Sequence, residues 1–300
     1  MQSGLHPSIH AFQASQWDAL NPSAYPGLLH GFLSALEDSK SVGEGTGWTP
    51  LYAAVKDGDA LVGAMVCFLK SDSYGEYVFD WSWADAYHRH GLNYYPKCVT
   101  AIPFTPATGP RLLIQDGYDR GVVTELLIKT LKSELSDQVS SWHILFPDEE
   151  TSRDLLTQGS WLKRHGVQFH WFNQGFETFD DHLATFNSKR RKEARRERRR
   201  VQEQGIEFER LSGHAIDREA LETLFQCYQM TYRVRGSRGY LTREFFELVV
   251  ARIPDAIRVA FALHQGKRIA MSFCLKDETN LYGRYWGALY IARWSREYCR

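Results

Sequence analysis

The chain has 300 residues, of which 43% are hydrophobic and 24% are charged, a composition typical of a globular protein of about two domains. This composition excludes a disordered, fibrous or disulfide-scaffold protein. The 36 basic and 36 acidic side chains cancel, yet residues 189–200 carry nine Lys or Arg and two Glu. That segment has a net charge of +7 and leaves −7 on the remainder, which favours a local contact with an anionic partner.

No stretch of the sequence has the features of a membrane span or a secretory leader. The longest apolar run, residues 60–69, has ten residues, whereas a membrane helix needs about 18. The N-terminus lacks a cationic start followed by an apolar stretch. The five scattered cysteines form no Cys-x-x-Cys pair, which indicates reduced thiols and no structural zinc. We therefore expect a cytoplasmic protein without a metal site.

The first half alternates predicted strands and helices. A hairpin turned at Asp57-Gly58 is predicted within residues 52–69. Apolar residues at four-residue spacing predict a helix over 123–135, for which Asp119 is a suitable N-cap. Residues 141–146 then predict a buried strand.

Three further elements are predicted before the second half. Carboxylates at 148–150 indicate the first turn of a helix that Gly159 ends, and the alternation over 167–172 predicts another strand. The basic residues predict a helix over 189–204, with Ser188 and Gly205 as its caps.

The second half also contains both predicted helices and predicted strands. Apolar spacing predicts a helix over 221–232, and Thr242 is a suitable N-cap for the next helix. Two strands, over 257–263 and 269–275, are predicted to form a hairpin that turns at 264–267.

An internal repeat relates residues 52–77 to residues 259–285. The matched positions are Gly58 with Gly266, Cys67 with Cys274, and Tyr74-Gly75 with Tyr282-Gly283. The order and spacing of these matches predict a duplicated module. After Tyr282-Gly283 only 17 residues remain, against more than 90 after the first copy, so we expect the second module to be incomplete.

Two groups of residues have the chemistry of a binding or catalytic site. The basic helix would bind phosphate through its arginines, although a solvated charged helix is the simpler alternative. The aromatic stretch over 77–95 contains Asp80 and Asp85. If this stretch lines a cleft, the pKa of one of these carboxylates would be raised toward general-base range; an aromatic core layer is the alternative. Simple motifs for a P-loop, a zinc protease or a serine hydrolase are absent from the sequence.

Several blocks of the sequence resemble one known family. These blocks are LLHGFLSALEDSKSVGEGTGW (28–48), FDWSWADAYHRHGLNYYPKCVTAIPFTPATGPRLL (79–113), SSWHILFPDEE (140–150), KRRKEARRERRR (189–200) and LYGRYWG (281–287). Together they resemble the bacterial FemAB-like predicted N-acyltransferases. The resemblance implies an α/β (α+β) fold with two domains like those of GCN5-related N-acetyltransferases (GNAT), each a mixed sheet flanked by helices. The expected parts are a first domain over 1–187, a basic helix and linker over 188–205, and a second, truncated domain over 206–300.

The resemblance also implies an activity, namely transfer of an acyl or aminoacyl group from acyl-CoA or aminoacyl-tRNA to an amine, in peptidoglycan-related metabolism. No tightly bound cofactor is implied; the acceptor is a small-molecule or nucleotide-linked amine, and tRNA is a possible partner. We expect Asp80, or alternatively Glu37, as the base, with Tyr282 and Tyr285 also in the catalytic group. The residues expected to bind substrate or carrier are Arg190, Arg191, Lys192, Arg195, Arg196, Trp81, Tyr94, Tyr95 and Arg284.

Two other interpretations stay open at this point. The chain could be a non-catalytic protein that binds nucleic acid or an anionic surface through the arginine-rich helix. It could also be an inactive pseudoenzyme, because the family continues with further segments after the Tyr-Gly-Arg-Tyr-Trp-Gly block that residues 288–300 lack. The oligomeric state is not predicted.

Overall fold

The structure, a computed structural model, describes residues 1–21, 23–159 and 161–289. The strands are β1 (Gln2–His6), β2 (Trp48–Asp57), β3 (Ala60–Lys70), β4 (Lys97–Thr100), β5 (Leu113–Ile114), β6 (Trp142–Ile144), β7 (Ile206–Ser212), β8 (Ile257–His264), β9 (Lys267–Lys276) and β10 (Leu281–Ala288). The α-helices are α1 (Ala14–Ala19), α2 (His30–Asp38), α3 (Trp81–Arg89), α4 (Arg120–Leu135), α5 (Glu149–Thr157), α6 (Phe179–Ala184), α7 (Ser188–Glu203), α8 (Arg218–Arg233) and α9 (Arg243–Arg252).

The first sheet has the strand order β1-β2-β3-β4-β6, with β5 paired to β3. All its pairings are antiparallel except the one between β4 and β6, which is parallel. Helix α4 covers one face, and the Asp119 carboxylate caps it by accepting from the Val122 N–H at 3.0 Å. The predicted β2–β3 hairpin and the Asp119 cap are confirmed.

The second sheet is antiparallel throughout, in the order β10-β9-β8-β7. Helix α8 packs against β9 and β10, and α9 begins after the predicted Thr242 cap, whose hydroxyl accepts from the Phe245 N–H. Two helix-flanked sheets of mixed α/β content confirm the predicted fold class. The predicted domain bounds stay predictions.

One apolar core joins the two halves of the chain. The Phe32 ring of α2 meets the Phe245 ring of α9 edge-on at 5.7 Å between centroids. The rings of Phe104 and Tyr240 stack at 4.9 Å. Because these contacts cross between the sheets, each half buries apolar surface that it would expose on its own.

The repeat holds for the two hairpins and fails beyond them. Asp57 pairs with Ala60 and His264 pairs with Lys267, so Gly58 is the first residue of its two-residue turn whereas Gly266 is the second of its own. The match of these glycines is therefore one residue out of register. Tyr74-Gly75 lies in the irregular segment after β3, while Tyr282-Gly283 lies within β10, and β4 occupies the position beside β3 that β10 occupies beside β9.

Three local predictions need correction. The strand predicted over 167–172 is absent; the segment is irregular and exposed on both sides, because no neighbouring strand satisfies its backbone. The N-cap of α7 is Asn187 rather than Ser188, since its side chain accepts from the Arg190 N–H at 2.9 Å. Strand β6 is shorter than predicted and half-buried. The expected truncation concerns residues 290–300, which lie outside the described residues.

Candidate functional site

A buried lysine organises a group of polar side chains at one end of the first sheet. Lys97, the first residue of β4, pairs in register with Lys70, the last residue of β3. The Lys97 ammonium is fully buried and donates to Glu76 Oε2 at 2.9 Å, to Ser73 Oγ at 3.0 Å and to Asp80 Oδ2. We call these four residues the Lys97 cluster: Lys97, Ser73, Glu76 and Asp80. One cation thus faces two carboxylates away from water.

The acidic side chains of the cluster come from the irregular segment 71–80, which connects β3 to α3. Glu76 is 4% exposed and Asp80 is 2% exposed. The Tyr94 hydroxyl donates to Asp80 Oδ2 at 2.6 Å, which closes the cluster from the side of β4. Glu76 Oε1 and Asp80 Oδ1 are buried without a hydrogen-bond partner among the described residues. A buried oxygen without a partner is costly unless it serves a ligand or a proton.

The two carboxylates differ in proton affinity. Burial raises the pKa of Glu76 to about 7, and the attraction of Lys97 offsets only part of that effect. Burial also acts on Asp80, but hydrogen bonds from Lys97, Ser73 and Tyr94 hold its pKa below the ordinary value. The prediction that the pKa of Asp80 is raised is therefore wrong. The carboxylate whose pKa reaches general-base range is Glu76.

A histidine borders the cluster on the neighbouring strand. His143 of β6 has its Nε2 atom 2.9 Å from the Ser141 hydroxyl and 3.4 Å from the Tyr94 hydroxyl. Burial, assisted by the charge of Lys97, lowers the pKa of His143 to about 4. The imidazole is therefore neutral near pH 7.

The residue after Glu76 lies at the junction of the two halves. Tyr77 has a left-handed backbone, with φ of 58°, and its hydroxyl lies 3.4 Å from the hydroxyl of Tyr232 in α8. Arg284 of β10 lies at the same junction, its guanidinium 5.0 Å from the ring of Tyr285, and it forms no ion pair within the described part of the chain. Burial raises the pKa of Tyr77 and of Tyr232, so both hydroxyls stay protonated as donors. We call Tyr77, Tyr232, Arg284 and Tyr285 the tyrosine cleft, after their position between the two halves.

A glycine lets the segment 71–80 lie close to the junction of the halves. Gly75 has φ of 78°, and a Cβ atom there would lie 2.6 Å from Phe104 Cδ1. Phe104 stacks on Tyr240, which belongs to the second half. A side chain at position 75 would therefore push the segment that carries Glu76 and Tyr77 off the second half.

Several predicted residues serve the scaffold. Glu37 accepts from the Ser8 hydroxyl, the Ile9 N–H and the Tyr52 hydroxyl within 2.9 Å, so its oxygens anchor the N-terminal segment. Tyr282 donates to Asp277 Oδ2 at 2.6 Å. The roles predicted for these two side chains stay predictions without support from their surroundings.

The predicted aromatic and cleft residues divide between two places. Tyr94 and Tyr95 face the Lys97 cluster, where the Tyr95 hydroxyl lies 2.7 Å from Ser73 Oγ, whereas Trp81 is 44% exposed at the start of α3. Tyr285 and Arg284 do lie together on the tyrosine cleft.

The arginines of α7 are not part of the Lys97 cluster or of the tyrosine cleft. Arg191 donates to the main-chain carbonyls of Leu183, Ala184 and Phe186, which ends helix α6, and Arg195 pairs with Asp180 at 3.0 Å. Arg196 approaches Glu193 at 3.9 Å, while Arg190 and Lys192 are exposed. No contact between these side chains and the Lys97 cluster or the tyrosine cleft is seen in the described ranges. Their predicted role as a phosphate clamp stays a prediction.

The two residues that define the cluster, Lys97 and Glu76, were not among those predicted from the sequence. A charged residue directly before the apolar run Cys98-Val99 is unusual for a buried strand and was a usable signal for Lys97. No comparable signal in the sequence indicated Glu76, because its burial depends on the path of the irregular segment 71–80.

The described residues contain neither a cluster of metal-ligating side chains nor a helix that could span a membrane. No group of three or more His, Cys, Asp or Glu side chains is arranged to hold a metal ion there. Among the same residues, none of the helices combines the length and apolar character that crossing a bilayer requires.

The paired sheets are those of a known class of α/β proteins. The crystal structure of FemX is similar to this chain with a TM-score of 0.50 and 12% identity, over 98% of this chain and 82% of FemX, which shows a shared fold. A sequence profile of the FemAB-like family, described as acting in peptidoglycan biosynthesis and recognition, matches residues 8–293. The chain belongs to the FemAB-like family, which makes it a cell-wall-related transferase in the broad sense. The curated proteins contain no match to the chain.

Proposed function

We propose that this protein transfers an acyl or aminoacyl group from a carrier to an amine acceptor in cell-wall metabolism, with Glu76 as the general base. The observation that carries the proposal is the position of Glu76. Its carboxylate has a pKa raised to about 7 and one oxygen without a hydrogen-bond partner among the described residues, and it directly precedes Tyr77 of the tyrosine cleft. A base whose pKa lies near the working pH is the most effective one.

The reaction needs no protein nucleophile. The amine nitrogen attacks the acyl carbonyl carbon, a C–N bond forms, and the C–S or C–O bond to the carrier breaks. Glu76 accepts the proton that the nitrogen loses and returns it to the departing sulfur or oxygen, so the enzyme ends unchanged. The hydroxyls of Tyr77 and Tyr232 and the guanidinium of Arg284 are donors suited to the negative charge that develops on the carbonyl oxygen.

Access to Glu76 requires movement of the segment 71–80. Glu76 is 4% exposed, and the segment has no regular secondary structure that would hold it in place. Binding of the acceptor would displace this segment so that the acceptor amine, rather than water, contacts Glu76 Oε1; the carboxyl then stays desolvated and keeps its raised pKa, while Lys97 and Asp80 stay paired. The donor classes that we propose are acyl-CoA and aminoacyl-tRNA.

The test is a transfer assay on the full chain. Purified protein is incubated with acetyl-CoA, longer acyl-CoAs or aminoacyl-tRNA, and with amine acceptors that include lysine peptides and amino sugars, and products are detected by mass spectrometry. We expect one pairing to give an amide product. The Glu76→Gln variant should lose about 10²- to 10⁴-fold in kcat, because it cannot accept the proton.

The matched control is Glu125→Gln, which makes the same change at an exposed position of α4. The pH profile separates a base from a structural group: kcat of the wild type should fall below about pH 7, where Glu76 is protonated, and this limb should vanish in the residual activity of Glu76→Gln. Wild-type activity with an unchanged pH limb in the variant would refute the role of Glu76. Absence of product from every donor and acceptor pairing would refute the transferase proposal.

A further inference from the structure

A short segment before α6 exposes more apolar side chains than the surface of a soluble protein normally does. Residues 161–178 lie before α6 without regular structure, and four apolar side chains in this range are far more exposed than buried: Leu162 at 91%, Val167 at 86%, Phe169 at 100% and Phe172 at 71%. We call residues 162–172 the apolar segment. Large apolar side chains exposed together along one segment indicate an interaction site.

The segment is held in this position by its polar residues. The Gln168 amide donates to the Pro106 carbonyl at 2.7 Å, and the Thr108 hydroxyl donates to Gln168 Oε1 at 3.3 Å. Gln168 therefore faces the first sheet while its neighbours Val167 and Phe169 project into solvent. The exposure is a consequence of how the segment is attached.

The arginine-rich helix lies beside this segment. The ring of Trp171 packs edge-on against His182 of α6 at 5.7 Å, and the Arg198 guanidinium of α7 lies 4.0 Å from the ring centroid of Phe179, also of α6. Helix α6 thus contacts both the apolar segment and α7. Through α6, the end of the apolar segment that carries Trp171 lies next to the basic helix.

Much of the positive charge of α7 is unpaired. The helix has no buried residue, and Arg195 is the member that pairs with Asp180 of α6. In the part of the chain that the structure describes, four of its basic side chains have no carboxylate partner: Lys189, Arg190, Lys192 and Arg199. An anionic partner would stabilise this charge.

We propose that the apolar segment and α7 together dock on the surface of an anionic phospholipid bilayer. The apolar side chains would enter the boundary between headgroups and acyl chains, and the basic side chains would contact the headgroup phosphates. Leu162 and Val167 favour a bilayer over nucleic acid, because aliphatic side chains are stabilised by acyl chains and offer no ring on which a base can stack. Stable attachment to a membrane needs two signals, and this surface carries both. The proposal does not depend on the transfer reaction.

Vesicle co-sedimentation of the full chain tests the proposal. Binding is measured to vesicles of phosphatidylcholine alone and to vesicles of equimolar phosphatidylcholine and phosphatidylglycerol, and we expect binding to the second kind. Each basic residue near an anionic surface contributes roughly fivefold in affinity. Lys189, Lys192 and Arg199 lie within a quarter turn of one another on α7, so all three can face one surface. The triple variant Lys189→Gln, Lys192→Gln, Arg199→Gln should therefore bind about a hundredfold more weakly.

A second variant tests the apolar contribution. Leu162→Ser combined with Phe169→Ser should weaken binding to anionic vesicles by roughly tenfold or more. Its control is Val234→Ser, which changes an exposed apolar side chain of the second half that is 54% accessible. Because all these residues are exposed, we expect thermal unfolding to be unchanged.

The charge control is the triple variant Arg218→Gln, Arg235→Gln, Arg238→Gln. It removes three exposed basic side chains outside α7 and should bind vesicles like the wild type. Loss of binding in both test variants, with both controls unaffected, supports the proposal. Absence of binding to anionic vesicles, or wild-type binding by either test variant, overturns it, and binding to single-stranded polyuridine in that case would assign the surface to nucleic acid.

Discussion

Replacing His143 with glutamine removes one of two neighbouring groups whose pKa values move in opposite directions when the chain folds. In the folded protein the pKa of His143 is lowered to about 4 from 6.5, mainly by burial. Between these pH values the unfolded chain binds the proton and the folded one does not, so this group makes stability rise with pH. The penalty that this group imposes on folding is greatest below about pH 4 and disappears above pH 6.5.

Glu76 acts with the opposite sign. Its pKa is raised from 4.5 to about 7, again mainly by burial, so between these pH values the folded protein holds a proton that the unfolded chain has released. Stability therefore falls as pH rises through this window. Each displacement corresponds to about 3 kcal/mol as an upper bound, and the two effects nearly cancel where the windows overlap.

The substitution His143→Gln removes one of these two opposing effects, so the effect that is lost can be measured. The free energy of unfolding of His143→Gln, minus that of the wild type, should fall by up to about 3 kcal/mol as the pH rises from 4 to 6.5. The same difference for Glu76→Gln should rise by a similar amount between pH 4.5 and 7. Urea unfolding followed by tryptophan fluorescence at a series of pH values measures both. His165→Gln, at an exposed position, is the matched control. A difference for His143→Gln that stays constant with pH would refute the reasoning.

Three further substitutions test the packing. Lys97→Met should lower the free energy of unfolding by about 3–5 kcal/mol in urea, since it leaves the buried carboxylates of the cluster without their cation. Gly63→Ala places a Cβ atom 2.3 Å from Val123 Cγ1 and should cost about 1–3 kcal/mol in the same assay, which a value near zero would contradict. Phe245→Ala removes the ring that packs on Phe32 and should lower stability by about 3–5 kcal/mol; calorimetry should show one transition for both halves, and two separate transitions would argue against the shared core.

A second glycine supplies the control for Gly63→Ala. Gly4 lies in β1, and a Cβ atom built there has no neighbour within 4 Å. The variant Gly4→Ala should therefore leave stability within about 0.5 kcal/mol of the wild type.

The local elements follow from the sequence. The Asp119 and Thr242 caps and the two hairpins are confirmed, because a cap or a tight turn depends on residues within a few positions of one another. The strand predicted over 167–172 failed for the complementary reason: alternation shows which side chains share a face, but a strand also needs a partner along its backbone.

The candidate site was only partly accessible from sequence. The aromatic stretch around Asp80 and the pair Arg284–Tyr285 were identified from their composition, and the structure places Asp80 in the Lys97 cluster and the pair on the tyrosine cleft. The proton affinities depended on tertiary structure, because the hydrogen bonds of Lys97 and Tyr94 lower the pKa of Asp80 and burial raises that of Glu76.

The sequence by itself determined the short-range structure, the class of fold and, through the blocks that resemble the FemAB-like proteins, the family. Only the tertiary structure decided which charges meet. Lys97 reaches Glu76 and Asp80 because β4 pairs with β3 in one register and because the segment 71–80 folds back over that end of the sheet. Both are long-range pairings, and their effect on the pKa values comes from the exclusion of water, which no local pattern of residues records.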